Sequence, residues 1–162
     1  MKKVDTKIDL DFKNPAAVLA TWFGTGLLVP APGTWGTLAA LPFGIGLMYL
    51  GFAPLLIGIL VVTELGRWSI KRVQAQTKSH DAGYIVIDEV AGMWITMLFC
   101  DLNAIDIGIG FILFRLIDII KPWPIGALDK KIQTPFGVML DDILAGLAAG
   151  LLVFAGKFYN VW

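Results

Sequence analysis

The longest uncharged stretch of this chain limits its fold more than any other feature. Between Lys13 and Glu64 no side chain carries a formal charge, so residues 14–63 form a run of 50 uncharged positions. A transmembrane helix needs about 20 apolar residues to cross a hydrocarbon core of ~30 Å. The run is therefore long enough for two helices that cross a membrane.

Glycine and proline divide this run into predicted elements. Gly51 and Pro54 interrupt its middle, which favours a hairpin of helices over residues 37–50 and 54–67. The earlier part, residues 15–29, is expected to lie at the membrane interface or to re-enter the membrane without spanning it. Three further apolar segments are near the lower length limit for a spanning helix: residues 84–100, 105–120 and 137–156.

Composition is that of a membrane protein. Of the 162 residues, 57% are hydrophobic and 16% are charged, against roughly 25% charged residues in soluble domains. The sequence predicts one all-α domain over residues 1–162, an integral membrane bundle with about four or five spanning helices and residues 1–13 as a mobile tail. Basic and acidic side chains number 13 each, so the charge balance does not favour nucleic acid as a partner. Cys100 is the only cysteine, which excludes an internal disulfide.

The distribution of basic residues predicts the orientation of the bundle. Lysine and arginine collect at the N-terminus and in two predicted connections, residues 67–78 and 121–131. By the positive-inside rule these regions face the cytoplasm, whereas the turns at 51–53 and 101–103 contain no base and face outward. The acids of the apolar segments then lie at cytoplasmic helix ends, so one side of the membrane is predicted to hold all of the chemistry.

Five acids lie in or beside these apolar segments, where an ionised carboxylate is costly unless a cation, a base or water compensates it. They are Asp88, Glu89, Asp118, Asp141 and Asp142. Acids from three helices can converge in a bundle core and bind metal, and carboxylates without clustered Cys or His favour Mg²⁺ or Mn²⁺ over zinc. The alternative is that each acid is a solvated charge near a helix N-terminus, where the macrodipole favours it.

Two basic residues flank one of these acids. Steps of three residues place Arg115 and Lys121 on either side of Asp118 along one helix flank. In that position they either hold Asp118 ionised or receive an anion. A neutralised structural ion pair at a helix end is the alternative.

Two polar segments are further candidates for the site. Gly33, Thr34 and Thr37 open the first long helix, and free N–H groups at a helix start bind anions, although the segment also fits a plain turn with Thr34 or Thr37 as a cap. His80 and Asp81 precede the third apolar segment. The histidine is able to donate a proton to a leaving oxygen or to bind a phosphate, while a lone histidine is more often an ordinary surface residue.

Four sequence blocks in order resemble the phosphatidylglycerophosphatase A family of bacterial lipid phosphatases. They are Pro-Gly-Thr-Trp-Gly-Thr from residue 32, His-Asp at 80 with Ile-Asp-Glu-Val-Ala-Gly from 87, Phe-Arg-Leu-Ile-Asp-Ile-Ile-Lys-Pro from 114, and Leu-Asp-Asp-Ile-Leu-Ala-Gly from 140. The resemblance implies an all-α bundle and Mg²⁺-dependent removal of the terminal phosphate of phosphatidylglycerophosphate. It further implies that the products are phosphatidylglycerol and inorganic phosphate, that the protein lies in the bacterial inner membrane, and that membrane lipid is the other partner.

The same resemblance implies a set of site residues by motif position. They are His80, Asp81, Asp88, Glu89, Arg115, Asp118, Lys121, Asp129, Asp141 and Asp142.

These residues lead to a hypothesis for the reaction. Glu89, Asp118, Asp141 and Asp142 are assigned to metal, with Arg115 and Lys121 on the phosphate. Water activated by the metal attacks phosphorus, and His80, oriented by Asp81, protonates the departing glycerol oxygen. An aspartyl-phosphate intermediate is the other route.

Two other classes of protein are compatible with part of the pattern. An ion-coupled transporter also places acids and bases in a membrane, but it predicts acids near the bilayer midplane and two related halves. A non-catalytic assembly subunit explains close packing through Gly146 and Gly150 and leaves the acids unexplained.

Overall fold

The computed structural model describes residues 10–77, 82–131 and 134–162, and in these residues the regular secondary structure is helical, with turns and short connections between the helices. Its α-helices are α1 (Pro15–Ala20), α2 (Pro32–Leu50), α3 (Phe52–Thr77), α4 (Ile87–Met97), α5 (Ala104–Ile120), α6 (Ile125–Lys131) and α7 (Pro135–Phe158), and a 3-10 turn covers Thr25–Leu27. The predicted all-α class is confirmed.

The predicted hairpin is formed by α2 and α3, which meet at Gly51. The backbone of Gly51 has a φ of +115°, a conformation that a residue with a Cβ rarely adopts. Both helices are longer than predicted. Helix α2 begins at Pro32 with Ala31 as its N-cap and no side-chain cap hydrogen bond, so the expectation that Thr34 or Thr37 caps it is wrong.

Helix α3 continues well beyond the predicted end at residue 67. It runs to Thr77, so Arg67, Lys71 and Arg72 lie on the helix and not in a connection. The polar side chains of its last turns are compatible with a helix because lysine, arginine and glutamine have high helix propensity. The apolar pattern therefore marked only the part of α3 that is hydrophobic.

Helix α4 is the central element, and all 11 of its residues are buried. Glycine allows its closest contact, since a Cβ on Gly146 of α7 would lie 3.0 Å from the Cα of Gly92. The hydroxyl of Thr96 also donates to the carbonyl of Gly146 at 3.1 Å. A Cβ on Gly150 would likewise collide with the ring of Phe99. Both glycines that the assembly hypothesis invoked therefore make close contacts within this chain.

The segment before α2 does not span the bundle. Helix α1 has six residues, about 9 Å at 1.5 Å per residue. Asn14 caps it by accepting from the backbone of Ala16 at 2.9 Å, and Ala20 accepts from the backbone of Val86 at 2.9 Å. The segment thus packs inside the bundle, beside the start of α4.

Two helices, α3 and α7, are long and apolar enough to cross a membrane by length and composition. Helix α4 has 11 residues and α5 has 17, which makes both shorter than an ordinary spanning helix of about 20 residues. The predicted total of four or five spanning helices stays a prediction.

The bundle end opposite the acids is closed by an ion-pair cluster. Nζ of Lys157 lies 2.6 Å from Asp101 and 3.3 Å from Asp106. The indole N–H of Trp162 donates to Asp106 at 3.2 Å. The turn at 101–103, which contains no base of its own, is therefore neutralised by a lysine from the last turn of α7.

Candidate active site

The five acids singled out in the sequence come together at one end of the bundle. Asp88 and Glu89 lie in the first turn of α4, Asp118 in the last turn of α5, and Asp141 and Asp142 in the second turn of α7. All except Asp118 are buried, and Asp118 is half-buried. The alternative of solvated helix-end charges does not fit Asp141, which is 5% exposed and lies beyond the first turn of its helix.

Carboxylate oxygens form two overlapping groups at this end. One oxygen each from Asp88, Glu89 and Asp142 lie within 4.8 Å of one another, and so do oxygens from Asp118, Asp141 and Asp142. Asp142 belongs to both groups. The two groups contain all four acids that the sequence hypothesis assigned to metal. They also contain Asp88, which that hypothesis did not include among the metal ligands.

This donor set fits a hard divalent cation. In the described part of the chain, Arg115 and Lys121 are the basic side chains of this centre. Five acids are therefore accompanied by two positively charged side chains. Excess negative charge in a buried site is unfavourable unless a further cation balances it or some of the acids take up protons. Oxygen ligands without sulfur or imidazole are those that Mg²⁺ and Mn²⁺ prefer.

Arg115 joins three helices through one nitrogen. Its Nη1 lies 2.9 Å from Oδ2 of Asp118 and 3.8 Å from Oε1 of Glu89, and it donates to Oγ1 of Thr37 at 3.4 Å. The contact with Asp118, one helical turn away, is the one that the spacing predicted. The contacts with α4 and α2 had no signal in the sequence, because they depend on how the helices pack.

Lys121 is placed differently from the sequence expectation. It is not on the α5 flank beside Asp118, because α5 ends at Ile120 and Lys121 is the C-cap, with a left-handed φ of 46°. The following residue is Pro122, which disfavours a helical conformation for the residue before it. The chain therefore turns, and Nζ of Lys121 forms an ion pair with Oδ2 of Asp141 on α7.

The first turn of α2 packs directly on this centre. A Cβ on Gly33 would collide with Oε1 of Glu89 and lie 3.0 Å from Nη2 of Arg115. Thr37 is fully buried, and its hydroxyl donates to the carbonyl of Gly33 at 2.7 Å. Thr34 is half-buried in the same turn. The glycine is thus required for the close approach of α2 to the acid and the arginine.

The structure does not describe the side chains of three candidate residues. His80 and Asp81 lie outside the described residues. Asp129 lies in α6, and its side chain is outside the described part of the chain. Their predicted roles stay predictions.

Fold and site together define the class of protein: an all-helical bundle that encloses a carboxylate centre with two bases at one end. The chain belongs to the phosphatidylglycerophosphatase A family, whose sequence model matches residues 18–157. The resemblance seen in the four blocks is confirmed, and with it the class of lipid phosphatases that the resemblance implied.

Individual relatives match over most of their length. The chain is 38% identical to the phosphatidylglycerophosphatase A of Escherichia coli K12, over 94% of this chain and 90% of the relative. It is 40% identical to the protein of that name from Haemophilus influenzae, over 90% and 91%. A protein of Bacteroides thetaiotaomicron, provisionally named a phosphatidylinositol-3-phosphatase, is 33% identical over 87% and 92%. No solved structure matches the chain significantly.

Proposed function

We propose that this protein hydrolyses the terminal phosphate of phosphatidylglycerophosphate with the help of Mg²⁺, giving phosphatidylglycerol and inorganic phosphate in phospholipid biosynthesis. The observation that carries the proposal is the presence of two clusters of three acids each, which have Asp142 in common. Arg115 and Lys121 form ion pairs with acids of these clusters. Membership in the family supports this substrate, since two relatives are named phosphatidylglycerophosphatase A after it. Mn²⁺ is a second ion that suits the same ligands.

The residues divide into those that hold the ion and those that hold the phosphate. Asp88, Glu89, Asp118, Asp141 and Asp142 would hold the cation, which, when bound, polarises phosphoryl oxygens and lowers the pKa of a coordinated water. Arg115 and Lys121 carry the positive charges that attract the phosphate and stabilise its charge as the bond to glycerol breaks.

Hydrolysis forms a bond from a water oxygen to phosphorus and breaks the bond from phosphorus to the glycerol oxygen. His80, oriented by Asp81, is proposed to give that leaving oxygen its proton. An aspartyl-phosphate route differs in which atom attacks first. Stereochemistry at phosphorus separates the two routes in a substrate whose phosphate is isotopically chiral, because one direct in-line displacement by water inverts the configuration, whereas two displacements through an aspartyl-phosphate retain it.

The surface of the bundle supports a position in the bacterial inner membrane. Apolar side chains are exposed along α3 and α7, among them Ile57, Leu60, Leu151 and Phe154. A water-soluble monomer rarely exposes apolar surface of this extent, whereas lipid tails match it. The acids at one bundle end would then meet a lipid head group at the membrane surface, and the distribution of basic residues favours the cytoplasmic side for that end.

An ion-coupled transporter is less well supported. It predicts acids near the middle of the membrane-crossing helices, but Asp88, Glu89 and Asp118 lie in terminal helical turns. No observation in the described residues favours transport over hydrolysis.

The test is phosphate release from phosphatidylglycerophosphate in detergent micelles by purified protein, with Mg²⁺ and with excess chelator. Release that needs Mg²⁺ and is lost in Asp142→Asn supports the proposal, while Asp101→Asn, an exposed acid at the opposite end, should leave the rate unchanged. Folded protein that releases no phosphate with either ion would contradict it. Phosphatidylinositol 3-phosphate, offered in parallel, measures how selective the site is for the head group.

A further inference from the structure

We propose that Thr37 is a positioning residue whose hydroxyl links the first turn of α2 to the guanidinium of Arg115 and fixes the arginine between Glu89 and Asp118. The inference rests on the proposed hydrolysis and deepens it. It assigns to Thr37 a role through Arg115 and not a direct contact with the substrate.

The hydroxyl of Thr37 is oriented by the backbone. Oγ1 donates its proton to the carbonyl of Gly33 at 2.7 Å, which fixes the rotamer. A hydroxyl has one proton to donate and two lone pairs that accept. Once the proton is directed to Gly33, the acceptor side faces Arg115, whose Nη1 donates to it at 3.4 Å.

Arg115 needs a support of this kind because its other partners are charged members of the same centre. Asp118 and Glu89 both hold Nη1, and both belong to the carboxylate groups able to bind a cation. A cation bound by these acids would compete with Arg115 for their oxygens. Thr37 is neutral and anchored to the helix backbone, so its contact with Arg115 is not subject to that competition.

The remaining contacts of the guanidinium do not replace this support. Nε of Arg115 is buried and has no hydrogen-bond partner among the described residues. Nη2 points to Gly33, where no side chain is present to receive a hydrogen bond. The Nη1 contacts are thus the polar contacts that set the plane of the guanidinium in the described structure.

Burial separates a positioning role from substrate contact. Thr37 has 0% of its surface exposed, and its hydroxyl is engaged on both its donor and its acceptor side. A substrate phosphate would have to displace one of these partners to reach it. The simpler consequence of the geometry is that Thr37 acts on the reaction only through Arg115.

The experiment compares three variants with the wild-type protein on phosphatidylglycerophosphate micelles with Mg²⁺. Thr37→Val keeps the shape and removes the hydroxyl, and Thr37→Ser keeps the hydroxyl. Thr63→Val is the matched control, because Thr63 makes the same kind of hydrogen bond, to the carbonyl of Ile59 at 2.7 Å, on α3. We expect Thr37→Val to lower kcat about tenfold with KM within about twofold, the size of one lost hydrogen bond to a charged group.

The serine variant and the control should both retain wild-type kcat within about twofold. A double-mutant cycle with Arg115→Met isolates the link, since methionine has no N–H to donate to Thr37. In the Arg115→Met background, Thr37→Val should change the residual kcat by less than about twofold.

Several results would overturn the inference. They are an unchanged kcat in Thr37→Val, an equal loss in Thr37→Ser, a change confined to KM, or a full additional loss in the Arg115→Met background. If Thr37→Val does not fold, Thr37→Ala is compared with Thr37→Ser by the same criteria. An inactive wild-type protein refutes the proposed function itself, and the positioning role falls with it.

Discussion

Nζ of Lys121 forms an ion pair with Oδ2 of Asp141 and so joins the C-cap of α5 to the second turn of α7. The pair holds together the two ends of the segment that contains α6. It also places a positive charge beside an acid of the carboxylate centre. Lys121 therefore has two expected roles, one in stability and one in the site.

The stability role predicts the effect of removing the charge. Lys121→Met leaves Asp141 buried without this base, and we expect the free energy of unfolding to fall by about 1–2 kcal/mol, less than for a fully buried pair because Lys121 is partly exposed. Thermal unfolding in detergent micelles measures it. Lys71→Met, at an exposed position of α3, is the control, and an equal effect in both variants would show that the pair does not stabilise the bundle.

Much of the fold could be predicted from local pattern. The uncharged run predicted the α2 and α3 hairpin, and the apolar segments predicted α4, α5 and α7, because hydrophobic length and glycine breaks are properties of neighbouring residues. The predicted ends of the helices were less accurate than their positions. Helix α3 extends ten residues beyond residue 67, to Thr77, since its last turns are held by helix propensity and tertiary contacts and not by an apolar pattern.

The sequence predicted which residues belong to the site better than it predicted the contacts between them. Acids stand out in an apolar sequence because they are costly there, which identified all five. The contact of Arg115 with Glu89 and the pairing of Lys121 with Asp141 join residues of different helices. Their geometry depends on helix packing and on the turn before Pro122, neither of which has a spacing rule.

The contact between α4 and α7 predicts a strong effect of a small substitution. In Gly146→Ala the new methyl group would collide with the carbonyl of Gly92 and lie 3.0 Å from its Cα, so the helices must separate. We expect the free energy of unfolding to fall by about 1–3 kcal/mol. Gly108→Ala has open space around its Cβ and should be neutral or slightly stabilising, as measured by thermal unfolding. Equal melting temperatures for the two variants would contradict the close contact.

Cys100, in the turn between α4 and α5, should be unreactive in the folded protein. Burial, with a smaller effect of Asp106, raises the pKa of its thiol from 9.0 to about 12. A maleimide at pH 8 should label it only after denaturation, whereas Leu102→Cys in a Cys100→Ala background, at an exposed position, should be labelled at once. Rapid labelling of native Cys100 would show that the turn is open.

The same pKa predicts how stability depends on pH. The unfolded chain releases the Cys100 proton near pH 9.0, whereas the folded chain keeps it to about 12. The folded state therefore binds more protons between these values, and the contribution of Cys100 to the free energy of unfolding falls as the pH rises from 9 to 12. Comparing Cys100→Ala with wild type should show a smaller decline for the variant over that range and no difference in pH dependence below pH 8.

Gly33 provides the most direct test of how α2 shapes the site, because its two expected effects have opposite signs. Alanine has a higher helix propensity than glycine by about 1 kcal/mol, which favours α2. In Gly33→Ala, however, the methyl group would collide with Oε1 of Glu89 and crowd Nη2 of Arg115, so both side chains must move. We expect kcat to fall at least about tenfold while the melting temperature changes little. Gly46 lies on the same helix with open space around an added Cβ. Gly46→Ala should therefore increase helix propensity without a steric clash and keep full activity. If Gly33→Ala retains wild-type kcat, the carboxylate and the guanidinium tolerate displacement, and the close approach of α2 is not what positions them for hydrolysis.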